Sequence, residues 1–223
     1  MKLEPRSKLL MIGDSITDCG RQRPGGEGAF EALGNGYVSV VDAFLKAVYP
    51  AHGIRVVNKG IGGNTVLDLQ ARWQADVLDQ KPDYVSVMIG VNDVWRHFDQ
   101  PTMLEAHVHR ETYEAVLDDL VASTKPVVRH VYLLSPFYLE TNKNDAMRSM
   151  VDAYGESMRA IAAKHGATFV DVQAAFDAVL SELYTAAWSR DRVHPNLTGH
   201  VVIARAFLAA IGFEWQGTPE YIA

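Results

Sequence analysis

Lys8-Leu9-Leu10-Met11-Ile12-Gly13-Asp14-Ser15 is the stretch that decides the fold. Leu9 to Ile12 are apolar without alternation, and the run then stops at a glycine, a carboxylate and a hydroxyl. A strand wetted on one face alternates apolar and polar side chains. A continuous short run suits a strand covered on both faces, as in a parallel sheet. Comparable runs recur at Ile54 to Asn58, Tyr84 to Ile89, Val127 to Ser135 and, more weakly, Thr168 to Val172.

Helical patterns fill the intervals. Tyr37 to Tyr49 has apolar residues at helical spacing and stops at Pro50. Thr65 to Leu78 follows Asn64, a residue type suited to capping a helix start. Leu104 to Ser123 and Asp145 to Lys164 are longer amphipathic stretches, the second followed by Gly166 where a helix end favours glycine. Leu197 to Ile211 closes the series, with Asn196 before it and Gly212 after it. Strand and helix alternate throughout. The chain therefore reads as one domain over residues 1–223, a three-layer α/β/α sandwich on a mostly parallel five-stranded sheet. Gly20 to Gly36 holds six glycines and one proline and reads as a long irregular loop of the kind that often carries function.

Composition narrows the function classes. The chain has 223 residues, 48% hydrophobic and 22% charged, with a net charge of -6. That balance lacks the basic face of a nucleic-acid binder and disfavours attachment to an acidic membrane. Cys19 is the single cysteine, so no intramolecular disulfide can form, which favours a reducing compartment. Leu9 to Ile12 is too short for a signal-peptide core or a membrane span. Cytoplasmic residence is the expectation.

In an open α/β sheet ligands sit beyond the carboxyl ends of the strands. After the first strand stands Gly13-Asp14-Ser15, after the second Gly60-Ile61-Gly62-Gly63-Asn64-Thr65, and after the third Gly90-Val91-Asn92-Asp93. The fourth ends in Ser135-Pro136, and Asp191-Arg192-Val193-His194 precedes the final helix. A hydroxyl, glycine amides, a side-chain amide and an acid–base pair on one edge are the parts required for acyl transfer.

Gly13-Asp14-Ser15, Gly63, Asn92 in Gly-x-Asn-Asp and Asp191-x-x-His194 resemble, in order, the blocks that name the SGNH (GDSL-like) hydrolase superfamily, with Ile16 where many members have leucine. The flavodoxin-like SGNH hydrolase fold is what that resemblance implies. Ile12 to Gly20, Val56 to Gly60, Val91 to Arg96, Asp191 to Pro195 and Gly212 to Trp215 are similar to intracellular bacterial acetylxylan esterases. Ala187-Trp188-Ser189-Arg190 departs from them, since an aromatic is expected next to the aspartate.

The roles follow from chemistry and resemblance together. Ser15 is the candidate nucleophile, a weak one until an adjacent base takes its proton. His194 is the candidate base, held in a turn because Pro195 disfavours helical backbone before it. Asp191 would fix the reactive tautomer of His194. The backbone of Ser15, Gly63 and the side chain of Asn92 are the candidate oxyanion donors, with Gly62 leaving the choice of glycine open. Thr17 stands where the Gly-x-Ser-x-Gly elbow would need its last glycine, which sets the chain apart from ordinary α/β-hydrolases. Trp95, Arg96 and Trp188 are candidates for binding substrate. Asp14, Asp18 and Asp93 read as loop braces, with no metal site and no cofactor. The other histidines are expected to lack a carboxylate in comparable context. The resemblance implies an acetylated xylo-oligosaccharide as substrate and a homo-oligomer, with an octamer as a candidate size. A broad carboxylesterase, a thioesterase, a lysophospholipase and a catalytically idle carbohydrate-binding protein remain the alternatives.

Overall fold

The computed structural model describes residues 1–215. Five strands, β1 (Lys8–Gly13), β2 (Arg55–Asn58), β3 (Tyr84–Met88), β4 (His130–Leu134) and β5 (Thr168–Val170), form one sheet in the order β2-β1-β3-β4-β5. Every neighbouring pair is parallel. Leu9 to Ile12 are wholly buried, as a strand with helices on both faces requires.

The helices are α1 (Ser15–Asp18), α2 (Tyr37–Val48), α3 (Val66–Trp73), α4 (Val91–Asp99), α5 (Arg110–Thr124), α6 (Ala146–His165), α7 (Val172–Leu180) and α8 (Leu197–Ala210). Helices α2, α7 and α8 pack together in one layer, and α3, α5 and α6 in the other. Among the described residues no helix is long and apolar enough to cross a membrane.

The structure adjusts several expected boundaries. Leu104 to Ser123 is not one helix. A short 3-10 turn spans Leu104–Ala106, and α5 begins at Arg110. The extended backbone between them is tied down from elsewhere, since the Val108 carbonyl accepts the Tyr154 hydroxyl at 2.6 Å. The fourth strand starts at His130, because Lys125–Val127, with Pro126 inside, forms another 3-10 turn. The fifth strand ends at Val170. Ser135 Oγ accepts the N–H groups of Val172 and Gln173 at 2.9 and 3.1 Å and opens α7 there. Thr65, not Asn64, caps α3, through reciprocal bonds with Asp68. The Gly20–Gly36 loop lies against the outer edge of β2, where Asn58 N–H donates to the Gly26 carbonyl at 2.7 Å. It covers an edge that would otherwise expose unpaired backbone.

The order β2-β1-β3 makes β1 and β3 neighbours across the point where the chain reverses its direction of travel, and this is where an open α/β sheet forms its crevice. Gly13 ends β1 opposite Met88, which ends β3. A Cβ on Gly13 would lie 2.3 Å from the Met88 carbonyl oxygen and 2.4 Å from Thr17 Oγ1. One obstacle is backbone and cannot rotate away. Gly13→Ala is therefore expected to destabilise the protein by about 1–3 kcal/mol, the range for overpacking a well-packed site. Urea unfolding measures this, and a midpoint unchanged from the parent would show that β1 and β3 can separate.

Candidate active site

The turn after β1 presents Ser15 as the first residue of α1. Asp14 caps that helix, its Oδ1 accepting the Ile16 N–H at 2.9 Å. The Ser15 hydroxyl lies 2.8 Å from His194 Nε2, across 179 residues of chain. His194 Nδ1 lies 2.6 Å from Asp191 Oδ2. Nδ1 faces a carboxylate, which can only accept, so it carries the proton and leaves Nε2 free to accept from Ser15.

Asp191 is fixed from three further directions. Its Oδ1 accepts Ser189 Oγ–H at 3.0 Å, Val193 N–H at 3.0 Å and His194 N–H at 2.8 Å. Partial burial pushes this carboxyl up, but the bonds from the His194 ring, the His194 and Val193 amides and Ser189 outweigh it and bring it down to about 2. Arg192 adopts a left-handed φ of 67° between the aspartate and Val193 and pairs with Glu140 at 2.8 Å, not with Asp191. The segment before the aspartate forms a short antiparallel bridge from Ser189 to Pro195. Ser189 was not among the expected site residues, although a serine two positions before an aspartate is a visible local signal.

The loop after β2 passes beside the nucleophile. A Cβ on Gly62 would sit 3.8 Å from Ser15 Cβ. Gly62 N–H donates to Asp18 Oδ2 at 3.1 Å, whereas the N–H groups of Gly63 and Ser15 have no acceptor among the described residues. Gly63 has a φ of 80°, which suits glycine. Asn92, in the first turn of α4 and 2% exposed, donates Nδ2–H to the Asn64 carbonyl at 3.0 Å. Its second amide hydrogen is left for another acceptor. Arg72 joins these loops. It donates to the Gly13 carbonyl at 3.1 Å, the Lys59 carbonyl at 2.8 Å and Asn64 Oδ1 at 2.8 Å, and pairs with Asp76. No local motif in the sequence points to Arg72.

The three carboxylates expected to brace loops do so. Asp18 pairs with Arg23 and holds Gly62, and Asp93 Oδ1 accepts Val66 N–H at 2.9 Å. No cluster of three or more metal-ligating side chains occurs among the described residues.

Of the residues expected to meet substrate, Trp95 has its ring 5.8 Å from that of His194. Arg96 places its guanidinium on Asn92 and Asp99. Trp188 is a correction. It is 6% exposed and its indole N–H donates to Leu183 O at 3.2 Å, so it backs the loop and offers no stacking face. Arg190, with Ser189, Asp191, His194 and Pro195, lines an open cleft of about 610 Å³. Among the other histidines, His165 does have a carboxylate partner, Asp118 at 2.8 Å, far from the site. His200 packs from α8 as expected, with Nδ1 accepting Tyr37 N–H at 3.1 Å.

The chain is similar to known proteins over nearly its whole length. The profile of the GDSL-like Lipase/Acylhydrolase family matches residues 11–202. An acetylxylan esterase of Geobacillus stearothermophilus is 59% identical over 215 residues, which is 96% of this chain and 98% of that protein. The crystal structure of Axe2, an acetylxylan esterase from the same organism, superposes with a TM-score of 0.96 at 58% identity, covering 98% of this chain and 100% of that one. Further crystal structures of Axe2, described as catalytic mutants, carry S15A, D191A and H194A. LAE5, an alpha/beta hydrolase enzyme from the metagenome of Lake Arreo, Spain, superposes with a TM-score of 0.94 at 54% identity, covering 96% of this chain and 98% of that one.

The buried carboxyls give a pH signature. Burial raises Asp14 and Asp93 to about 7 each. An unfolded aspartate titrates near ~3.9, so between about pH 4 and 7 the native state holds the extra protons and each group makes stability fall as pH rises. His200 acts oppositely. Burial lowers it to about 4, so its contribution is lost as pH falls from its unfolded value towards 4. Asp93→Asn removes one titration and leaves the others. Its melting temperature is expected to decline less than the parent's between about pH 4.5 and 7.5. Parallel melting curves across that range would mean that Asp93 is already ionised at its lower end.

Proposed function

The chain belongs to the GDSL-like lipase/acylhydrolase family and is a carboxylic-ester hydrolase, and from that premise we propose that it removes acetyl groups from xylo-oligosaccharides through an acetyl-serine intermediate. The observation that carries this reading is the unbroken hydrogen-bond chain from Ser15 Oγ through the His194 ring to Asp191. The catalytic mutants of Axe2 change the same three residue types at the same numbers, which supports assigning the triad here. The substrate class rests on the 59% identity to an acetylxylan esterase.

His194 Nε2 takes the Ser15 proton while Oγ attacks the acetyl carbonyl carbon. The developing oxyanion accepts hydrogen bonds from the N–H groups of Ser15 and Gly63 and from Asn92, each worth roughly 100- to 1,000-fold in rate. The imidazolium formed is stabilised by Asp191, whose low titration point keeps it anionic throughout. Collapse expels the sugar oxygen, which receives the proton from His194. Water then loses a proton to His194, attacks the acetyl-serine carbonyl and releases acetate, restoring the hydroxyl. Trp95 stands beside the base, where its ring would meet a sugar face. No metal or organic cofactor takes part in this scheme.

A homo-oligomer in the cytoplasm completes the proposal. The single cysteine supports a reducing compartment. Phe30 at 94% exposure and Tyr184 at 76% are large ring side chains of the kind that subunit contacts cover. Light scattering of the purified protein tests the assembly, and a monomer at micromolar concentration would remove it.

Time-resolved NMR of an acetylated xylo-oligosaccharide tests the activity. Acetate is expected to appear as sugar acetyl signals disappear. No acetate, together with turnover of long-chain p-nitrophenyl or phospholipid esters, would favour the lipase-like or thioesterase alternatives. Absence of a fluorophosphonate adduct on Ser15 would favour an idle binding protein. Ser15→Ala is expected to lower kcat by about 10⁴-fold or more with binding preserved, and Asp191→Asn by about 10⁴-fold through the wrong His194 tautomer. Near-parental turnover by Asp191→Asn would take that residue out of the triad.

A further inference from the structure

We propose that Arg96 is a positioning residue that locks the Asn92 side-chain amide in the one orientation able to stabilise the oxyanion. The inference rests on the assignment of Asn92 as an oxyanion donor. A carboxamide is nearly symmetric in shape, so rotation by half a turn exchanges its donor and acceptor ends at little steric cost. Such a flip would replace N–H groups by a carbonyl oxygen at the place where negative charge develops, turning attraction into repulsion.

Two contacts oppose the flip from opposite ends. Asn92 Nδ2 donates to the Asn64 carbonyl at 3.0 Å, and Arg96 Nη2 donates to Asn92 Oδ1 at 3.2 Å. After a flip, oxygen would face the Asn64 oxygen and NH₂ would face the guanidinium, so neither pair could bond. The Asn64 carbonyl belongs to a loop, whereas Arg96 stands one turn along the same helix as Asn92, on the same face. A guanidinium carries donors and no acceptor, so the lock points one way.

Arg96 is itself held in place. It pairs with Asp99 within α4, and its guanidinium carbon lies 5.5 Å from the centre of the Trp95 ring. With its side chain 20% exposed, it is shielded enough for this hydrogen bond to persist. The cation also draws electron density along the amide towards Oδ1, which strengthens the N–H groups as donors at the other end. Trp95, next in the chain, reaches the His194 ring, so one turn of α4 serves both the amide and the base.

A residue that merely bound the sugar would act on KM, and with sugar substrates alone. A residue acting through Asn92 acts on kcat, with any ester, and only while Asn92 is present. The test is a double-mutant cycle with Arg96→Met, Asn92→Ala and the double variant on p-nitrophenyl acetate, which has no sugar. Thermal melts of each variant establish folding, and Arg96→Gln repeats the measurement with a smaller change of shape. Arg96→Met is expected to lower kcat roughly 10- to 100-fold, a part of what loss of the whole donor removes, with KM within about twofold. In the Asn92→Ala background the same change is expected to have less than about a twofold effect. Affinity for a small alkylboronic acid, which forms a tetrahedral adduct on the nucleophile, should fall in parallel with kcat. Equal losses from Arg96→Met in both backgrounds, with Asn92→Ala itself slow, would overturn the role of Arg96 and leave the oxyanion assignment standing. An Asn92→Ala variant with parental kcat would overturn both.

Discussion

The parallel pairing of β1 with β3, closed at Gly13 and Met88, is the constraint on which the rest of the site depends. It sets the nucleophile turn and the Asn92 turn side by side at the carboxyl edge of the sheet, and it tolerates no side chain at Gly13. Around that join side-chain hydrogen bonds tie one loop to another. Arg72 holds Gly13, Lys59 and Asn64 together. Asp93 connects the start of α3 to α4. The buried Asn58 donates to the carbonyls of Thr17 and Leu33, binding the nucleophile helix to the long glycine-rich loop. Such placement before reaction is what electrostatic stabilisation of a tetrahedral adduct requires, since donors that must rotate into position lose much of their value.

The site divides into a wet half and a dry half. The side chains of His194 and Asp191 are 44% and 42% exposed, open to the ester and to the water that must follow it. Beneath them Asp14, Asp93 and His200 are buried, and burial drives each towards its neutral form. Burial thus weakens the charge of these groups, while Asp191 remains the anion that the imidazolium meets. Asp93 Oδ2 is buried and has no hydrogen-bond partner among the described residues.

Some elements were illegible for definable reasons. Helix α4 is short and carries Asn92, Asp93, Arg96 and His97, so polar residues needed by the site interrupt its apolar spacing. Helix α7 begins inside an expected strand because Asp171 caps it through the Ala174 N–H, while Ser135, from a different strand end, accepts the N–H groups of Val172 and Gln173. The expected helix from Leu104 breaks because Tyr154, 46 residues away from Val108, binds the intervening backbone. Thr65-x-x-Asp68 was a readable capping box, whereas Asn64 is occupied by Arg72 and cannot cap.

Sequence alone determined the alternation of strand and helix, the order of the chemical blocks and the pairing of Asp191 with His194, because these depend on periodicity or on spacing within one turn. Tertiary structure decided which glycine amide stays free, which residues hold the loops together and what Arg96 and Trp188 touch. Gly62 loses its N–H to Asp18, 44 residues earlier, and Ser15 meets His194 across 179 residues. Contacts of that range leave no period and no local spacing, since they exist only once the sheet has brought its strand ends to a common edge.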